Sequence, residues 1–80
     1  MMKQVTTASG SVYMIDENRQ VFVRIKGEQG QALPTDSFWV EYQEIQVMEV
    51  GKGLEILWMD KENPKLRVST PVTEITETAG

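Results

Sequence analysis

The chain has 80 residues, no cysteine and no histidine, and 12 acidic against 8 basic side chains, for a formal charge of −4. That length makes a single domain over residues 1–80, near the size at which only roughly 60% of the unfolded surface is buried, so stability is modest unless copies associate. The composition excludes disulfides, thiolate or imidazole metal sites and the usual general base, and the charge disfavours nonspecific attraction to phosphate backbones or anionic lipid.

The opening Met1-Met2-Lys3-Gln4-Val5 carries one positive charge and no apolar core, so it does not read as a signal peptide. Apolar residues then alternate rather than recur at three and four, and Val, Ile and aromatics dominate them, which predicts an all-β chain. A first strand is expected over 3–7, a turn at Ala8-Ser9-Gly10, and a second strand over 11–16 with Val12 and Met14 on one face and Tyr13 and Ile15 on the other. Asp16-Glu17-Asn18-Arg19 forms a polar hairpin connection. In the third strand, 20–26, Val21, Val23 and Ile25 are expected to point one way, with Phe22, Arg24 and Lys26 on the wet face. Two glycines and Pro34 make 27–37 the longest irregular stretch.

Over 38–50 the apolar parity slips twice, from Val40 and Tyr42 to Ile45 and Val47 and then to Met48 and Val50, which predicts bulges in a long bent strand. After Gly51-Lys52-Gly53, the 54–59 strand buries Leu54, Ile56 and Trp58. Leu57 and Met59 then fall on its second face, where they need cover from the 27–37 loop or from an interface. Asp60 to Pro64 is a turn, 65–70 a strand with Leu66 and Val68 inward, and Pro71 an interruption before an edge strand over 72–76 and a frayed tail over 77–80. The expected architecture is a small antiparallel barrel or SH3-like roll of five to seven short strands, with a flat open meander as the other possibility.

Candidate chemistry is sparse. Asp60, Glu62 and Asn63 hint at a calcium loop but lack the spacing, and Pro64 follows them, so they read as a solvated turn. Asp16 and Glu17 sit at a hairpin tip with no apolar enclosure to raise a pKa. Thr6, Thr7, Ser9 and Ser11 have no base beside them and read as turn and edge residues. Trp39 and Trp58 read as core. Neither a cofactor nor enzymatic activity is expected.

Arg19, Phe22, Arg24 and Lys26 place basic and aromatic groups on one strand, the local grammar of a nucleic-acid platform, whereas residues 36–80 hold nine acidic and four basic groups, net −5. Glu41, Glu44, Glu49 and Glu55 form either a solubilising face or an acidic docking surface. Thr6-Thr7-Ala8-Ser9-Gly10-Ser11-Val12-Tyr13-Met14-Ile15-Asp16 and Ser69-Thr70-Pro71-Val72-Thr73-Glu74-Ile75, with Asp36-Ser37-Phe38-Trp39 between them, resemble short proteins of actinobacterial genomes and their tailed phages. That resemblance implies a phage or prophage origin and assigns no residue a role. The expected function is a non-enzymatic, cytoplasmic protein-interaction module. It would bind itself, as a homo-oligomer, or a host protein, through Leu57, Met59, Glu41 and Glu44. The alternative is a nucleic-acid accessory protein using the basic strand.

Overall fold

The computed structural model describes residues 2–27, 32–33 and 36–78. Six strands run β1 (Met2–Thr7), β2 (Val12–Asp16), β3 (Val21–Ile25), β4 (Val40–Val47), β5 (Gly53–Asp60) and β6 (Asn63–Thr78). Each pairs antiparallel with its neighbour in sequence, and β6 returns to β1, closing a barrel without an open-meander edge. Residues 28–31 and 34–35 of the long loop lie outside the described residues, as do the last two positions of the tail.

Closure depends on the length of β6. Its first half pairs with β5 as far as Pro71, and from Val72 onward it pairs with β1. Pro71 therefore does not interrupt the strand. It stands where the partner changes, so its missing N–H removes no ladder bond, while its carbonyl accepts from Ala8 N at 2.9 Å and the following Val72 N donates to Lys52 O at 2.8 Å. The first expected bulge is present, a β4–β5 register shift between Tyr42 and Glu44; the second falls between Ile45 and Val47 rather than after Val47, so those two residues lie on opposite faces instead of sharing one. Skipping one residue each time keeps Tyr42 and Ile45 on the inner face and bends the strand around the barrel.

Val5, Tyr13, Ile15, Phe22, Tyr42, Leu54, Ile56, Trp58 and Val72 form the core. Strand β5 buries its expected face, with Leu54 and Ile56 fully enclosed, and of the two faces of β2 the one carrying Tyr13 and Ile15 goes in. Strand β6 inverts its own, and β3 does so in part, since Val23 stays buried while Phe22 and Arg24 go in. The β2–β3 register sets Ile15 opposite Phe22 and Tyr13 opposite Arg24, so the buried face of β2 carries Phe22 and Arg24 inward with it. Ile25 is turned out and is half exposed. In β6 Leu66 faces Leu57 across the ladder and shares its outer side, leaving Arg67 to point in. Leu66 and Val68 are 49% and 58% exposed rather than buried. Trp39 is also corrected: it lies before the first paired residue of β4 and is 52% exposed, while Trp58 is core.

The β1–β2 turn is held tightly against the exit from β3. A Cβ on Gly27 would lie 2.3 Å from the carbonyl carbon of Gly10, so only glycine permits this backbone approach.

Candidate functional site

Bringing Arg24 inside creates a polar end to the barrel. Its Nη1 lies 2.7 Å from each oxygen of Asp36, and its Nη2 donates to Ser11 Oγ at 3.2 Å. Asp36 also receives Leu33 N at 2.8 Å, and Ser37 N donates to Arg24 O at 2.9 Å, so the same pair that neutralises the arginine ties the end of the long loop to β3. Burial by itself would raise the Asp36 carboxyl. The Leu33 N–H, the hydrogen bond and charge of Arg24 and the charge of Arg67 outweigh it and hold the group below its ordinary 3.8.

Beside this pair opens a cavity of about 390 Å³, lined by Thr7, Ser9, Ser11, Arg24, Arg67 and Thr70 among others. Thr7 and Ser11 are almost fully buried. The Arg67 guanidinium lies 5.6 Å from the centre of the Trp58 ring and 5.8 Å from that of Phe22, so two aromatic faces fix its direction. In the sequence Thr7, Ser9 and Ser11 read as turn and edge residues, Asp36 as one more acidic group near Glu41 and Glu44, and nothing marks Arg67 or Thr70. No local signal marked either arginine as inward, since Val23-Arg24-Ile25 and Leu66-Arg67-Val68 alternate as a strand with an outward arginine would.

The outer face of β4, β5 and β6 is the second site. Two cross-strand rows run across it: Glu44, Leu57 and Leu66 in one, Val47, Glu55 and Val68 in the next. Leu57 and Met59 are half-buried under neighbours in their own sheet, Glu44 and Leu66 for the former and Pro64 for the latter. The cover expected from the 27–37 loop or an interface is thus supplied in part by their own sheet, and the exposed apolar residues of this face are Leu66 and Val68. Glu44 belongs to this face, but Glu41 pairs with Val21 at the short β3–β4 seam, away from these rows. Among the described residues Glu41, Glu44 and Glu55 form no ion pair.

The basic strand does not make a surface. Phe22 and Arg24 are inside the barrel, whereas Arg19 and Lys26 are exposed at opposite ends of β3, so the four residues share no face. Asp16 is occupied as a turn former, its Oδ1 accepting from Asn18 N at 3.1 Å and Arg19 N at 3.2 Å, and Glu17 pairs with Lys3 at 3.2 Å. At the β5–β6 turn, Asp60 pairs with Lys65 at 3.2 Å.

No protein-family model, curated protein or solved structure matches this chain.

Proposed function

We propose that this barrel is a non-enzymatic interaction module, an accessory protein in the phage setting that its end segments suggest, and that its β4–β6 outer face docks a basic, apolar segment of another protein. The observation that carries the reading is the pair of rows on that face, in which half-exposed Leu66 and Val68 stand beside Leu57 and two carboxylates that form no ion pair among the described residues. Each fully buried side chain of this kind gains roughly 1.5–3 kcal/mol over an exposed one, so leaving two of them half wet in a domain this small is costly without an occupant. Charge selects the occupant. A two-fold related copy would bring Glu44 and Glu55 toward their own equivalents, and like charges across an interface oppose association. A segment with lysine or arginine flanking an apolar anchor satisfies both rows and is steered by the net −5 of residues 36–80.

Selection from a random peptide display library tests this. Enriched peptides should carry basic residues around an aliphatic or aromatic anchor, and Leu66→Asp with Val68→Asp should abolish their binding while leaving the circular-dichroism spectrum unchanged. Enrichment indifferent to those substitutions, or enrichment of acidic peptides, would refute the reading. A wild type that is dimeric by light scattering and becomes monomeric on the same substitutions would replace the basic partner with a second copy.

A further inference from the structure

The polar cavity meets the outer face only at Val68, which borders both. The β1–β2 turn and the middle of β6 bring three hydroxyls toward Ser9 Oγ: Thr7 Oγ1 and Thr70 Oγ1 at 3.3 Å and Ser11 Oγ at 3.4 Å. All three distances are well beyond the roughly 2.7–2.8 Å at which hydroxyl hydrogen bonds cluster. Both lone pairs of Ser11 Oγ are taken, by Arg24 Nη2 at 3.2 Å and Gly27 N at 3.4 Å, and Thr70 Oγ1 already accepts from Ser9 N at 3.2 Å. Ser11 and Thr70 therefore have protons to donate, whereas Thr7 Oγ1 already donates to Ser11 O at 3.3 Å. The neutral oxygen they converge on is a weak and distant acceptor. An anionic oxygen placed among them is a far better one, because hydrogen bonds to ionised acceptors are shorter and roughly twice as strong.

The charge and size of the cavity agree with that chemistry. Two guanidinium groups line it, one held by Asp36 and one by two aromatic rings, so both are oriented before any ligand arrives. Donors reach it from the β1–β2 turn, β3 and β6, a spread that a tetrahedral phosphoryl group with three outer oxygens meets better than a planar carboxylate with two. A volume of about 390 Å³ exceeds what a bare ion fills and lies in the range of small-molecule sites, and Leu33 and Val68 add apolar wall for a carbon skeleton.

We propose that this cavity binds a small phosphorylated metabolite through its phosphoryl oxygens, with Ser11, Thr70, Arg24 and Arg67 as donors. The test is an amide chemical-shift titration of the full chain with glycerol phosphate, inorganic phosphate and acetate at matched ionic strength. The account expects saturable shifts at Ser9, Ser11, Gly27 and Thr70, tighter binding of glycerol phosphate than of phosphate, and weaker binding of acetate than of either. Thr70→Val keeps the shape of an exposed side chain and removes one donor, so it should preserve the spectrum and weaken binding roughly tenfold, as the loss of one hydrogen bond to a charged group requires. Shifts that sodium chloride reproduces, acetate binding as tight as phosphate, or an unchanged affinity in Thr70→Val would each overturn the assignment.

Discussion

Strands β5 and β6 share one ladder but treat their apolar residues in opposite ways. On β5, Leu54, Ile56 and Trp58 go in and the residues between them face out, whereas on β6 the side chain sent inward is Arg67 and its apolar neighbours Leu66 and Val68 face water. Strands β2 and β3 repeat the contrast, with Tyr13 and Ile15 inside on one and Arg24 beside Phe22 on the other. A one-residue slip of β6 would bury Leu66 and Val68 but would also move every other side chain of that half-strand to the wrong side, including Ser69, whose Oγ accepts Leu54 N at 2.9 Å. The arginines are tolerated because each has an internal solution: Arg24 a carboxylate, Arg67 two ring faces along which its stem and guanidinium lie. Two inward arginines thus produce both a polar cavity at the end of the barrel and an apolar outer face.

The sharpest way to break the contrast is to remove what makes an inward arginine affordable. Asp36→Ala should destabilise the fold by about 3–5 kcal/mol in urea unfolding, since it strands a buried guanidinium, and a loss below ~1 kcal/mol would mean that Arg24 reaches water. Next in size, Ile56→Ala should cost about 2–5 kcal/mol while Leu66→Ala, one ladder away, should change stability by no more than about 1 kcal/mol; equal costs would erase the distinction between the two faces. Gly27→Ala should cost about 1–3 kcal/mol by the same measurement, because its Cβ meets the Gly10 backbone.

The smallest effect is in acid. The Asp36 carboxyl is depressed below 3.8, so its stabilising contribution is complete above that value and disappears as pH falls through the lower folded-state pKa. The gap in urea midpoint between the wild type and Asp36→Asn should therefore be constant well above pH 3.8 and close below it. A gap that widens in acid would contradict the assigned direction.

The barrel itself was legible because its signals are local: alternation gave the strands, Gly and Asx residues gave the turns, and the parity slip after Tyr42 gave the first bulge of β4, while the second lies earlier than the slip at Met48 implied. The inner face of β5 was legible for the same reason. The faces of β3 and β6 were not. In Val23-Arg24-Ile25 and Leu66-Arg67-Val68 the pattern favours arginine outside, and only partners distant in sequence reverse it, Asp36 twelve residues from Arg24 and Phe22 far from Arg67. The hydroxyl cluster was hidden likewise, since Ser9 and Thr70 meet across 61 positions. The surplus apolar side chains around 54–59 pointed to Leu57 and Met59, but the exposed pair, Leu66 and Val68, is on the neighbouring strand, because Leu57 is sheltered between Glu44 and Leu66.

The absence of cysteine from the chain permits a direct test of the inverted strand. Leu66→Cys, Arg67→Cys and Val68→Cys can each be made as the only thiol and exposed to a maleimide under native conditions. Rapid labelling at 66 and 68 with slow labelling at 67 is the result that follows from an inward Arg67. Rapid labelling at 67 with protection at 66 and 68 would place the apolar pair inside and remove the basis of both proposed surfaces.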